Sequence, residues 1–496
     1  MRVTNSMIYG NSMNNIWRNA RHLNSLVTQQ ETGYRIQRPS DDPLLSARTL
    51  RYRTILSEAE QFLRNVHQGT AWMEVSESAF DNILTGTSTS PSLMQRIYTL
   101  LVEGAQTGTQ TLAEHRTLVA EMRQHFNQMF NDDINQTYLG RFVFSGFHTD
   151  QPPVLTQGWP GRTFVIQQNF VPHDVERTKA FHRPTPTCMP QDIWANIIKL
   201  PYTNVSFADS GVADVPTVGV VLADGTRLHV ETRISTEEDA YSPADFITDA
   251  DGNQIPVIHS LSDTGELVMS DAVRDLINLA GGINITYQKS DIRAGELNPI
   301  VYFPSTEITG GTAVHFNTAG QNIQMEISPN SYISINLHAR DILTANLFAD
   351  LMHLFNFVDN LIESEPTVIE AYLRDQHGYM GDYLAGRVSD FLSDELSMFA
   401  SAVHYRMNHM LERIQEHTAQ AQRQHTNLGT RMARLEMVGI RLEEDEVAYT
   451  ELLSDVQDAD IVEVMRRKES AEIAFNHSLR AIALTTQLSL ADFINR

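Results

Sequence analysis

The sequence predicts an α+β protein: long paired N- and C-terminal helices forming a coiled-coil-like bundle, with a mostly β central insertion. Three observations predict it. Apolar residues at both ends recur in alternating steps of four and three, the spacing of a helix with one narrow seam. Between residues 137 and 340 that period gives way to β-branched runs and to prolines at 152, 153, 160, 172, 184, 186 and 190. From residue 341 the helical spacing returns, so the last part of the chain mirrors the first.

Tyr9, Met13, Ile16, Ala20, Leu23 and Val27 place a helix over residues 7–30, which Thr32-Gly33 ends. Pro39-Ser40-Asp41-Asp42-Pro43 then reads as a turn whose Asp caps a second helix, with Pro at its first position. Ile55, Ala59, Phe62, Val66, Gly69, Met73, Ser76, Phe80 and Ile83 give that helix a seam of about eight turns. Past a break at 86–91, Leu93, Ile97 and Leu100, then Val119, Met122, Phe126 and Met129, carry helix to about residue 136. In the middle, Val218–Leu222 and Arg227–Ile234 flank Asp224-Gly225, a pair able to supply the positive φ angles of a two-residue hairpin turn. Strands are expected at 283–288, 299–303, 312–316, 322–327 and 331–337, after a short helix at 271–280. Leu347, Leu351, Leu354, Val358 and Leu361 resume the helical pattern. It continues through Leu392, Leu396, Phe399 and Val403, then Leu428, Met432, Leu435, Gly439, Leu442, Glu446, Tyr449, Leu453 and Val456. A last helix from about 460 carries Ile461, Met465, Phe475, Leu479 and Ile482, but Lys468 and Glu472 interrupt its seam, so its partner surface must accept charge.

These patterns divide the chain into a terminal helical region (1–45 and 455–496), a helical bundle (46–150 and 341–454) and a mostly β outer domain (151–340). At 496 residues the chain can bury a sizeable core. Its net charge of −24 repels phosphate backbones and anionic headgroups, which argues against nucleic-acid binding. No apolar run is long enough to insert in a membrane, and MRVTNSMIYGNSMNNIW has none of the segments of a cleaved secretion signal. The single Cys188 rules out an intrachain disulfide.

Catalytic, cofactor and metal patterns are absent. There is no H-E-x-x-H, and His404 and His409 stand five apart, off a shared helix face. Asp249-x-Asp251-x-Asn253 opens like a calcium loop, but Gln254 and Ser260 replace the Gly and Glu that such a loop needs. The glycine pairs at 281–282 and 310–311 precede strands, no G-x-S-x-G occurs, and Cys188 sits among prolines. Asp41 and Asp42 read as turn and cap. The residues expected to matter are therefore packing residues: Tyr9, Ile16, Leu23 and Val27 near one end, and Leu428, Met432, Leu435, Leu442, Leu479 and Ile482 near the other.

Thr32-Gly33-Tyr34-Arg35, Pro39-Ser40-Asp41-Asp42-Pro43 and Gly140–Phe147, with Arg2 and Ser6, resemble the N-terminal region of the flagellin-like hook-associated proteins. Asn427-Leu428-Gly429-Thr430-Arg431, Arg434-Leu435-Glu436 and Leu453–Asp460 resemble the matching C-terminal signature. The resemblance implies a structural, non-enzymatic part of the bacterial flagellum at the hook–filament junction, exported unfolded by the flagellar type III apparatus to an external or periplasmic flagellum. It implies as partners a ring of identical subunits, another hook-associated junction protein on the hook side, flagellin on the filament side and an export chaperone. Two alternatives stand: a filament subunit, and a ligand- or glycan-binding module in 151–320.

Overall fold

The computed structural model describes residues 5–86, 90–106, 111–183, 185, 187–208, 211–212, 214–248, 252–309, 311–318 and 322–494. The helices are α1 (Asn5–Thr32), α2 (Pro43–Phe80), α3 (Leu93–Gly104), α4 (Leu112–Asn127), α5 (Asp271–Ala280), α6 (Pro299–Tyr302), α7 (Ala339–Ile342), α8 (Ala345–Asp359), α9 (Pro366–His377), α10 (Gly381–Gln457) and α11 (Ile461–Ile494). The first strands are β1 (Thr137–Tyr138), β2 (Arg141–Phe142), β3 (Trp159–Phe170), β4 (Glu176–His182), β5 (Gln191–Lys199), β6 (Val205–Ser206), β7 (Gly219–Leu222) and β8 (Arg227–Arg233). They are followed by β9 (Phe246–Thr248), β10 (Gln254–Leu261), β11 (Glu266–Met269), β12 (Ile283–Ile292), β13 (Ser305–Thr309), β14 (Thr312–Phe316), β15 (Gln324–Ser328) and β16 (Ser331–Ser334). The α+β class is the observed one: long helices at both ends and a mostly β middle. The described residues form two compact units, one from Met1–Gln68, Glu326–Tyr332 and Arg434–Arg496, the other from Gly69–Met325 and Ile333–Ala433.

The first unit is helical. Asp42 caps α2 by accepting from the Leu44 and Leu45 amides at 3.1 and 3.0 Å, with Pro43 as the first helical residue. Ala59 and Val66 of the predicted seam are buried. Gly439 explains its own place in the facing seam of α10, because a Cβ there would come within 3.3 Å of Val66 Cγ1. The tip of the β15–β16 hairpin is pinned at both sides: Asn65 Nδ2 donates to the Glu326 carbonyl at 2.8 Å and Arg434 to Ser331 Oγ at 2.9 Å.

In the second unit the α2 seam continues inward through Gly69, Met73, Ser76 and Phe80 and into Ile83, all buried. Phe126 is the centre of an aromatic cluster, its ring 4.6 Å from Phe130, 5.3 Å from Phe348 and 5.5 Å from Phe355. Thr111 and Glu114 form a reciprocal capping box at the start of α4. The β part is one twelve-stranded sheet, ordered β14-β13-β3-β12-β7-β8-β10-β11-β5-β4, with β6 on β12 and β9 on β10. Its pairings are antiparallel except that β8 and β10 run parallel.

Several expectations change. Residues 299–303 are not a strand: Asn298 Oδ1 accepts from the Ile300 amide at 3.0 Å and Pro299 takes the first position, so a single helical turn forms. The 218–234 hairpin exists, but with three loop residues. The Leu222 amide donates to the Thr226 carbonyl, the Gly225 amide donates to the Leu222 carbonyl, and of the loop residues Ala223, Asp224 and Gly225 only Gly225 has positive φ (94°). The 271–280 helix is α5, capped by Ser270 and ended by left-handed Gly281. In the 392–403 seam, Glu395 is buried where Leu396 is exposed. His404 Nε2 donates to the Ala105 carbonyl at 2.8 Å, apart from His409. Asp249, Asp251 and Gly310 lie outside the described residues.

A buried charge cluster ties sheet to helices in this unit. Lys199 Nζ of β5 lies 2.7 Å from Glu176 of β4 and 3.0 Å from Asp350 of α8, and Arg413 Nε of α10 lies 3.0 and 3.1 Å from the same two carboxylates. His417 adds a contact to Asp350 at 3.2 Å. Burial alone would push the Asp350 carboxyl up, but Lys199, His417 and Arg413 outweigh it and hold it below the carboxylate range. Glu266 follows the same logic: burial raises it, while the hydrogen bond and charge of His353 bring it down to about 2.

Asp350→Ala would leave two buried cations short of a partner and is expected to cost about 3–5 kcal/mol in urea unfolding. Because the Glu266 carboxyl is depressed on folding from 4.5 to about 2, its contribution is complete above about pH 4.5 and disappears as pH falls towards 2. Glu266→Gln should accordingly flatten the acid limb of a stability–pH profile between those values.

Candidate assembly site at the paired chain ends

The two end signatures meet in the first unit. Gly33, with φ +75°, ends α1 as its amide donates to the Gln29 carbonyl at 2.9 Å; open space surrounds the position, so the demand for glycine is conformational. The chain then pairs with the segment between α10 and α11. The Arg35 amide donates to the Gln457 carbonyl at 2.7 Å, the Ala459 amide donates to the Gly33 carbonyl at 2.8 Å, and Tyr34 forms an antiparallel bridge with Asp458. Arg53 of α2 joins them by donating twice to Gln457 Oε1, at 3.1 and 2.8 Å.

Each remaining polar signature residue has a local task. Thr32 Oγ1 donates to the Thr28 carbonyl, and Asp41 accepts from the Arg38 and Gln37 amides, which closes the Pro39-Ser40 turn. Asp460 caps α11 through the Val462 and Glu463 amides, and Ser454 Oγ donates to Asp458 at 2.6 Å. Glu463 in turn pairs with Arg466 and Arg467, whose hydrogen bonds draw its carboxyl down to about 2.

Along α1 and α11 the shared core is small: Leu26 (3% exposed), Val464 and Ala471, with Leu23 and Ala459 packed around them. Lys468 crosses the seam by donating to Gln30 Oε1 at 2.9 Å, so its charge meets a neutral amide. Large apolar groups remain uncovered beside this core. Tyr9 (47%), Met13 and Trp17 (58%) follow one stripe of α1, and Val462 (78%), Met465, Ile473 and Leu484 step along α11.

The candidate packing residues thus separate. Leu428, Leu435 and Leu442 are buried inside the chain; Ile16, Leu23, Val27, Met432 and Ile482 are half-buried; Tyr9 and Leu479 (41%) are exposed. Leu26, the most buried residue of α1 among those described, falls outside the predicted seam, one position from Val27. One cluster had no sequence signal at all: Glu77, Asp81 and His425 each bring a ligand atom within 4.8 Å of the others. A His425–Glu77 hydrogen bond of 2.8 Å and stacking of His425 on Phe80 already satisfy that imidazole without an ion.

Residues 3–149 match the bacterial flagellin N-terminal helical region. The N-terminal part of the chain is flagellin-like. Flagellar hook-associated protein 3 of Salmonella typhimurium (strain LT2) is 23% identical over 170 residues, 34% of this chain and 51% of that one. The chain therefore spans about half the length of the curated relative it matches. Two solved structures also align. The flagellar junction protein FlgL from Legionella pneumophila is 14% identical over 84% of this chain and 100% of that one, with a TM-score of 0.31. Xanthomonas campestris FlgL is 11% identical over 82% and 99%, with a TM-score of 0.28.

Gly33→Ala forces a Cβ into left-handed backbone and is expected to cost about 1–2 kcal/mol. Asp42→Ala removes the cap of α2 and should cost about 1 kcal/mol. Urea unfolding of both variants, followed by far-UV circular dichroism, checks each value.

Proposed function

We propose that the chain is a structural subunit of the bacterial flagellum that acts as an adaptor at the hook–filament junction, on which the flagellin filament is built. The observation that carries this reading is the paired-end site. Within the flagellin-like N-terminal region Gly33-Tyr34-Arg35 bond to Gln457-Asp458-Ala459, and the helices on either side carry apolar stripes that a single chain leaves uncovered. In this reading residues 1–45 and 455–496 are the assembly region, 46–150 and 341–454 the bundle, and 151–340 an outward-facing β domain.

The mechanism is mechanical. Identical subunits cover one another's stripes in a ring, another hook-associated protein contacts the ring from the hook side, and flagellin contacts it from the filament side. Buried side chains between subunits then carry torque, and no bond is made or broken. The chain travels unfolded through the flagellar type III apparatus, escorted by an export chaperone, and a lone Cys188 spares it disulfides that would oppose threading.

Immunogold electron microscopy of intact flagella, with an antibody against residues 151–320, tests the placement. A single band just beyond the hook is expected; continuous label would make the chain a filament subunit, and unlabelled flagella would overturn the reading. Leu479→Asp tests the surface. Because Leu479 is exposed, the variant should be exported and keep its folding stability within about 0.5 kcal/mol, yet fail to enter flagella. Normal incorporation would remove Leu479 from the interface.

A further inference from the structure

The second unit contains a cavity of about 660 Å³ between the β domain and helices α8 and α10. Three carboxylates line it and all are engaged. Asp263 accepts from the Ser235 amide at 3.1 Å and from its hydroxyl, Glu266 accepts from Tyr241 at 3.3 Å and faces His353 at 3.5 Å, and Glu363 pairs with Arg116 at 3.2 Å.

Two of the lining cations are not engaged in this way. Arg406 lies with its guanidinium carbon 4.0 Å from the centroid of Phe357, and among the described residues its nitrogens form no hydrogen bond or ion pair. It sits near enough to Glu266 to help hold that carboxyl low, yet makes no ion pair with it. Arg293 likewise has no side-chain partner among the described residues. A guanidinium offers five N–H donors in a fork that fits a carboxylate, and stacking on an aromatic face fixes its plane in advance.

The remaining walls are suited to a polyhydroxylated ring. Asn356, Asn360 and Asn204 line the cavity, and their side-chain amides have no hydrogen-bond partner among the described residues. Asn204 is held there in left-handed backbone, with φ 54°. Phe181 and Phe357, half-buried and edge-to-face at 5.8 Å, supply the apolar part of the lining.

We infer that this cavity binds an acidic sugar, with Arg406 pairing with its carboxylate and the asparagine amides with its hydroxyls. The cavity belongs to the second unit and the paired ends to the first, so its failure would leave the junction reading untouched, and the reverse also holds.

The test is calorimetric and ligand-observed NMR titration of the full-length protein with D-glucuronate, with D-glucose and inorganic phosphate as controls. Glucuronate should bind saturably and about tenfold more tightly than either control. Arg406→Gln should weaken glucuronate about tenfold and leave glucose unchanged, while Asn356→Ala should weaken both sugars. Circular dichroism melting of each variant separates lost binding from lost folding, and Asn356→Ala decides the matter if Arg406→Gln does not fold. Absence of saturation up to about 20 mM glucuronate overturns the proposal. So does phosphate binding as tightly as glucuronate, which would mean a bare anion hole, or an Arg406→Gln variant that binds glucuronate like the parent.

Discussion

The first unit depends on the meeting of Gly33–Arg35 with Gln457–Ala459. These contacts close a loop of 404 residues between Arg53 and Gln457, but loop-closure entropy grows only with the logarithm of length, so a long insertion between the two ends is thermodynamically tolerable. Two of the four closing bonds run backbone to backbone. That places few demands on side chains other than Gly33, whose backbone must be left-handed, and Gln457, which receives Arg53 on its side chain and Arg35 on its carbonyl. Asp42 and Asp460 then fix where α2 and α11 start.

Buried charge does for the second unit what the backbone bonds do for the first. Lys199 and Asp350 are 151 residues apart, and Arg413 lies 63 beyond Asp350. An apolar contact can slip by a residue and lose little. Slippage here would strand a desolvated ion, at a cost of several kcal/mol. The cluster therefore narrows the number of ways in which β4, β5, α8 and α10 can come together, whatever its net contribution to stability.

What the sequence discloses follows from range. The α2 seam was legible from Ile55 to Ile83 because period alone defines it, and Asp42-Pro43 marked its start because a cap is a contact within three residues. The α5 limits were legible for the same reason. Residues 299–303 misled because Pro-Ile-Val-Tyr-Phe has strand-like composition, while the deciding bond, Asn298 to the Ile300 amide, outweighs it locally. The strands β3, β4 and β5 were hidden because their apolar and charged residues are arranged by a sheet whose neighbours are far away in sequence: β3 lies between β12 and β13. Lys199, Glu176, Asp350 and Arg413 were unreadable as a cluster, and Arg406 as a cavity cation, because neither has a local pattern.

The same reasoning separates two kinds of apolar residue at the chain ends. Leu428, Leu435 and Leu442 have their partners within the chain, so their burial contributes to folding and leaves nothing for a neighbouring subunit. Tyr9, Trp17, Val462 and Leu479 are exposed and contribute little to the folded chain, and in the proposed reading their stabilising potential is realised against a second molecule. The net charge of −24 would oppose the proposed association of identical chains. At about 25 cal/mol for each Å² of apolar area removed from water, covering both stripes supplies a favourable term that screened charge repulsion must not exceed. A periodic seam is thus only evidence of a helix; in the proposed reading, which half of it serves assembly is decided by what the fold leaves exposed.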